Sequence, residues 1–255
     1  MQDRREYWND KENRANVAKN HTREMTARYQ NEINASIQGS LIFSPGFTFQ
    51  PEVKKATNVF LKDCDTVSAG FEYAAGKTAV LNFASYKNAG GMFLEGSKAQ
   101  EECLCHESFL YNVLSGISGY YDWNQANLNR ALYKNRAIYS PNVRFIHKGQ
   151  ERDLDVITCA SPNKSAAQKY AGVTDEENDK VLEDRIRFVL EVAAYQKVNT
   201  LILGAYGCGV FGQDPELVAK LFQKYVVEIG AFETVVYAVP DGRNGNLAAF
   251  QRVIR

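Results

Sequence analysis

Apolar residues along this chain follow two spacings. Short, nearly continuous apolar runs at 78–83, 154–160, 200–203 and 235–239 read as buried strands. Between and after them, Leu182, Ile186, Val189, Leu190 and Ala193 recur at helical spacing, as do Leu217, Leu221 and Tyr225. Asp214 and Pro215 mark the start of the second of these helices, as N-cap and first helical residue. Residues 1–38 carry charge and good helix formers, with no glycine or proline before Gly39. They predict one or two helices, docked through Tyr7, Trp8, Val17 and Met25.

Other stretches carry weaker patterns. Leu41-Ile42-Phe43 and Thr66-Val67 predict short strands separated by turns. Residues 100–114 predict one helix with Cys103, Leu110 and Leu114 on a common face. Residues 115–129 are polar and tyrosine-rich, and read as an irregular surface segment. Residues 137–139 and 143–146 predict a strand pair around Ser140-Pro141-Asn142. The acidic run 175–179 reads as a solvated helix entry. The alternation of helix and strand implies an α/β layered sheet. In such sheets ligands bind beyond the carboxyl ends of the strands. No internal repeat, low-complexity tract or linker interrupts the chain.

Composition narrows the function. A length of 255 residues suits one core with a small appendage. The 30 basic and 30 acidic residues cancel, which argues against duplex nucleic acid or an anionic membrane as partner. No apolar run is long enough to span a bilayer, and the charged start MQDRREYWNDKENR lacks a signal core. Five scattered cysteines fit reduced thiols in the cytoplasm. Cys103, Cys105 and His106 lack the spacing of a zinc site.

The chemistry concentrates in two loops, each at the end of a buried strand. The first runs through Asn88, Gly90, Gly91 and Met92 to Gln100-Glu101-Glu102 at a helix start. Acidic residues are common in first turns, where the macrodipole favours them. A glycine turn after a strand adds a place where a ligand can approach the backbone. The second loop, 204–212, reads GAYGCGVFG and also lies between strand and helix. It lacks the Gly-Lys-Ser/Thr of a P-loop. Cys208 has no histidine motif to activate it. His21, His106 and His147 read as structural.

Together the loops identify a resemblance. Gly90-Gly91-Met92, a spacer, then Gln100-Glu101-Glu102 resembles the signature of the bacterial-type poly(ADP-ribose) glycohydrolases, which are macrodomain enzymes. LILGAYGCGVFG followed by Asp214-Pro215 resembles the second binding loop of the same family, and the likeness extends over about residues 40–255. Met92 departs from it, standing where the family has a third glycine. The resemblance implies a macrodomain-like mixed sheet between helices, with a helical extension over 1–38 and a catalytic domain over 39–255. It implies hydrolysis of ribose–ribose bonds in ADP-ribose polymers, from the chain end, with no metal or cofactor. Glu102 would protonate the leaving oxygen and then activate water, and Glu101 would bind a ribose hydroxyl and tune its neighbour. Asn88 would bind the distal ribose. Gly90, Gly91, Gly207 and Gly209 would bring amides to the diphosphate. Phe211 would pack on the terminal ribose, with Met92, Gln100, Cys208 and Val210 completing the site. The alternatives are a non-hydrolysing ADP-ribose reader, or a hydrolase of single ADP-ribose groups on protein or nucleic acid. A monomer is expected.

Overall fold

The computed structural model describes residues 10–52, 54–242 and 244–254. Tyr7 and Trp8 therefore lie outside the described residues. The first helix, α1 (Lys11–Gly39), starts at Asp10, whose side chain accepts from the Glu12 amide. It bends at Tyr29, where the backbone leaves helical angles. Ala18, Met25, Tyr29 and Ile33 on α1 are buried in the main core, whereas Val17 is half-buried.

Seven strands form one sheet: β1 (Leu41–Phe43), β2 (Asn58–Lys62), β3 (Thr78–Phe83), β4 (Ala137–His147), β5 (Gln150–Cys159), β6 (Thr200–Leu203) and β7 (Thr234–Ala238). Their order is β1-β4-β5-β3-β6-β7-β2. β4 runs antiparallel to β1 and β5, and the remaining neighbours are parallel. Successive strand residues face opposite sides. Leu81, Ile157, Leu201 and Val235 pack on one side with α7 (Asp175–Tyr195), which follows the short α6 (Lys164–Ala171), and with α8 (Pro215–Ile229) and the C-terminal α9 (Asn246–Val253). Val80, Val156, Ile202 and Val236 pack on the other with α1, α2 (Thr66–Tyr73), α3 (Gln100–His106), α4 (Leu110–Ser115) and α5 (Ser118–Ala126). This is an α/β/α sandwich, the layered sheet that the residue pattern predicted and the macrodomain-like arrangement that the resemblance implied.

Four local expectations are overturned. Thr66-Val67 opens the helix α2 instead of a strand, because Asp65 caps it by accepting from the Ser68 amide at 2.8 Å. The strand of that region is β2, an edge strand that pairs with β7. The helix expected over 100–114 is two helices. β4 takes the backbone between them: the Glu107 carbonyl accepts from Ile146 at 2.7 Å and the Arg144 carbonyl from Phe109 at 3.3 Å. Cys103 is accordingly only half-buried, while Leu104 and Cys105 face the core. Residues 118–126 are helical, with Tyr120 and Asn124 fully buried. The Asn124 side chain donates to the Tyr86 carbonyl at 2.8 Å and Tyr120 Oη to the Arg136 carbonyl at 3.0 Å. Finally, 137–147 is one strand with a bulge between Ser140 and Val143, where Asn142 takes φ +52° and its amide donates to Asp155 at 2.8 Å.

Other expectations stand. Thr174 and Glu177 form a capping box at the acidic entry to α7. Asp214 caps α8, and Pro215 is its first residue.

Between α5 and β4 the chain takes a left-handed turn, with positive φ at Asn129, Arg130, Ala131 and Tyr133. Each such residue costs ~1–2 kcal/mol. Arg185 of α7 offsets much of this. It is fully buried, and donates to the Leu132 carbonyl at 3.3 Å, to Asn135 Oδ1 at 2.7 Å and to the Ala160 carbonyl. Hydrogen bonds from a cation are worth ~1.5–3 kcal/mol each. Arg185→Met should therefore lower stability by ~3 kcal/mol, a fall of about 6–12 °C in Tm by calorimetry. An unchanged Tm would mean that Arg185 does not hold the turn.

Candidate active site

The parallel strands β3, β5, β6 and β7 end on one edge of the sheet. From that edge the two glycine loops and the start of α3 emerge. Three interactions set the first loop. Gln100 braces it: its Oε1 accepts from the Phe83 amide at 2.8 Å, and its Nε2 donates to the Leu81 carbonyl and to Thr66 Oγ1. Glu101 accepts from Asn82 Nδ2 at 3.0 Å and from the Ser85 amide at 2.6 Å. Glu102 Oε1 accepts from the Met92 amide at 2.9 Å. Both acidic residues are almost wholly buried, at 3% and 5% exposure, and Glu102 Oε2, itself buried, has no hydrogen-bond partner among the described residues.

Gly91 shows why the turn needs glycine. Its φ is +62°, and a Cβ there would stand 2.5 Å from Glu102 Oε1 and 3.1 Å from Glu101 Oε2. The carboxylates thus press directly on the turn. Met92 does not share this constraint, since its φ is not positive. Its side chain is 49% exposed and leaves the turn outward. A side chain at the third position therefore neither strains the backbone nor crowds the acidic pair.

The amides of this turn differ from expectation. The Gly91 amide donates to the Asn88 carbonyl at 3.1 Å and the Met92 amide to Glu102. The Gly90 amide favours ionised Glu101. All three serve the turn and the acidic pair, not an approaching diphosphate. The second loop is different. Among the described residues, the amides of Gly207, Gly209, Val210 and Phe211 donate to no protein acceptor. Val210 is 88% exposed at its tip. Gly207 has φ +75°, with Ser161 Oγ only 2.4 Å from where a Cβ would sit.

Phe211 is half-buried against Tyr133, with ring centroids 6.3 Å apart. Tyr133 in turn stacks on Tyr86 at 4.1 Å and 12°. The left-handed turn described above thus delivers Tyr133 behind Phe211. Sequence reasoning gave no role in the site to Asn82, Ser85, Tyr86 or Tyr133. Asn82 lay in an apolar strand run, and the polar turn containing Ser85 and Tyr86 gave no hint of its contacts. Cys208 is buried, its Sγ donates to the Tyr206 carbonyl, and burial pushes its thiol up to about 12, so it is no nucleophile. Cys103 Sγ contacts the Lys98 carbonyl, whereas Cys105 lies buried behind Gly90. His21 pairs with the Ser108 carbonyl at 2.8 Å and His147 with Glu107.

Two hollows are lined by chain neighbours of the acidic pair and by residues of the glycine turn, with neither carboxylate among their lining residues. The larger, about 670 Å³, runs along the strand ends between Gln100 and Cys103 on one side and Gly207, Gly209 and Phe211 on the other. The smaller, about 550 Å³, opens beside Asn88, Gly91 and Met92. Their volumes are those of small-molecule sites.

Burial dominates the electrostatics of Glu101. It pushes the carboxyl up to about 8, with the charge of Glu102 adding to it and the Ser85, Asn82 and Gly90 donors opposing it. Glu101 therefore keeps a proton at neutral pH.

The sandwich, the strand-end cleft and the buried acidic pair define a macrodomain-like glycosidase. The family model for the microbial-type PARG catalytic domain matches residues 4–148. No curated protein sequence matches the chain. Among solved structures, poly(ADP-ribose) glycohydrolase from Thermomonospora curvata bound to the inhibitor ADP-HPD has a TM-score of 0.82 at 29% identity, over 94% of this chain and 99% of that one. The Deinococcus radiodurans enzyme in complex with ADP-ribose has a TM-score of 0.79 at 34% identity, over 88% and 98%. The chain belongs to the microbial-type poly(ADP-ribose) glycohydrolase catalytic-domain family. Its activity is that of a glycosidase hydrolysing poly(ADP-ribose).

The raised Glu101 carboxyl gives a stability signature. Between the unfolded value near 4.5 and the folded value near 8, the native state holds a proton that the unfolded state has lost. Stability should fall as pH rises through that window, by up to ~1.4 kcal/mol per unit, and level off above it. Glu101→Gln should flatten the slope in urea unfolding at pH 5.5–8.5. Equal slopes in both proteins would contradict the assignment.

Proposed function

We propose that Glu102 is the general acid and base of this glycohydrolase, and that cleavage removes ADP-ribose from the polymer end. The observation that carries this is the locked acidic pair at the strand ends: the Met92 amide holds Glu102 through Oε1, and Glu102 Oε2 has no hydrogen-bond partner among the described residues. The terminal ADP-ribose lies in the strand-end cleft, its diphosphate on the open amides of Gly207, Gly209, Val210 and Phe211. Asn88 holds the distal ribose from the rim, and Phe211, backed by Tyr133, packs on it. Glu101, protonated at neutral pH, donates to a ribose hydroxyl oxygen.

The reaction then balances as follows. The bond from the anomeric carbon to the bridging oxygen breaks, and that oxygen takes the proton of Glu102. The sugar passes through oxocarbenium character. Water attacks the anomeric carbon while Glu102, now a carboxylate, removes its proton. The turn amides help because Met92 holds one Glu102 oxygen still, which leaves the other to face the bond. The N-terminal helix serves as an accessory cap on the catalytic body from residue 39 onward. Five unpaired cysteines support a cytoplasmic location, where the enzyme acts as a monomer and reverses ADP-ribosylation.

Glu102→Gln should lose at least ~100-fold in ADP-ribose release from purified polymer while retaining ADP-ribose affinity by calorimetry. Wild-type turnover of mono-ADP-ribosylated protein but not polymer would sink the polymer reading. Early release of oligomers, resolved by chromatography, would sink cleavage from the end. Phe211→Ala should lower kcat about tenfold or more by loosening the ribose, with ADP-ribose affinity changed far less. Equal losses in both would deny it an orienting role.

A further inference from the structure

Arg136, just before β4, is only 8% exposed, and its guanidinium lies 4.2 Å from the Trp123 ring and 5.2 Å from the Tyr120 ring of α5. Rings stack on the faces of a guanidinium and leave its in-plane N–H donors unanswered. None of those donors meets a protein acceptor among the described residues. Nε and Nη1 are shut off from solvent, which leaves Nη2 as the nitrogen open to a ligand. Buried charges are normally paired, so a guanidinium with no carboxylate beside it is unusual.

Tyr86 joins two further cations to this one. The Lys134 amide donates to Tyr86 Oη at 3.3 Å, and Arg136 lies close enough for its charge to act on the same phenol. Lys87 follows Tyr86 in the chain, and its carbonyl accepts from Gln125 Nε2 of α5 at 3.2 Å. Both lysines are exposed. Among the described residues, neither lysine nor Arg136 forms an ion pair, whereas Arg130 of the neighbouring turn is neutralised by Glu177 at 2.7 Å. Asp122, one residue before Trp123, pairs with none of the three.

The position of these cations gives them a use. Tyr86 carries the stack behind Phe211, and Lys87 lines the smaller hollow beside Asn88. Phe211 and Asn88 are the groups assigned to the distal ribose of the terminal unit. The polymer continues from that ribose, whose anomeric carbon is bonded to the 2′ oxygen of the next unit's adenosine. That adenosine carries the next diphosphate at its 5′ position. Two negative charges therefore recur one unit along from the ribose, and three uncompensated cations surround the tyrosine that backs the ribose site.

We infer that Lys87, Lys134 and Arg136 form an exosite for the diphosphate of the ADP-ribose unit next to the terminal one. The inference rests on the proposed reaction, and the test separates the two. Wild type, the double variant Lys87→Gln/Lys134→Gln and Arg136→Met are assayed on two substrates over a range of salt concentrations. One is ADP-ribose polymer. The other is ADP-ribose bearing 4-nitrophenol at the anomeric carbon of its distal ribose, which has no second diphosphate. Both variants should lose about tenfold in kcat/KM on polymer at low salt. The slope of log kcat/KM against log salt should flatten by roughly 1 in each. The aryl substrate should be turned over as by wild type. Parallel losses on both substrates, or an unchanged rate and salt slope on polymer, would overturn the exosite while leaving the reaction intact. Wild type inert toward polymer would overturn the polymer reading, and the exosite with it. The two lysines are exposed and make no side-chain contact that the fold needs, so their variant decides the matter even if Arg136→Met does not fold.

Discussion

Two carboxylates lie side by side in the interior, and backbone amides hold them there. Burying an ionised carboxylate costs several kcal/mol unless donors or a proton compensate. Here Ser85, Met92 and Asn82 supply the donors, and Glu101 also keeps its proton to about pH 8. Much of the site's local architecture follows from this arrangement. The turn must put its amides within reach of the carboxylates, so it is tight, left-handed at Gly90 and Gly91, and without a Cβ at Gly91. The start of α3 must face the turn, so Gln100 ties it to the end of β3.

The two glycine loops divide the labour. The first spends its amides on the protein's own acids, and the second leaves them open at the strand ends. A helix macrodipole adds little in either place. α3 has seven residues, and the start of α8 is occupied by the Asp214 side chain. In the proposed binding mode, electrostatic support for the diphosphate comes from individual loop amides, which are fixed before the ligand arrives. Phe211 is fixed similarly, through the stack of Tyr133 on Tyr86 and the strained turn that Arg185 anchors.

Met92 illustrates how a departure from a motif is read. The third position of the triplet carries no positive φ and meets no carboxylate, so the backbone tolerates a side chain there. What changes is the rim of the smaller hollow, where the methionine adds an apolar face. The replacement alters that rim and leaves the acidic pair itself undisturbed.

The buried strands, the long helices α7 and α8 with their caps, and the two loops at strand ends were legible in the residues. Apolar periodicity, Asp-Pro and glycine placement are local signals that burial reinforces. Glu101 and Glu102 were legible through motif resemblance, since an acidic pair in a first turn is ordinary by itself. What local pattern could not carry was decided by partners far along the chain. β4 took the backbone groups at 107–109 and cut one helix into two. Asn124 and Tyr120 became core because Tyr86 and Arg136 offered carbonyls to their side chains. The turn amides faced inward because the carboxylates behind them, brought there by the packing of α3 on β3, were the strongest acceptors within reach. A hydrogen bond's destination depends on which groups the fold brings close, and that is information only the tertiary structure holds.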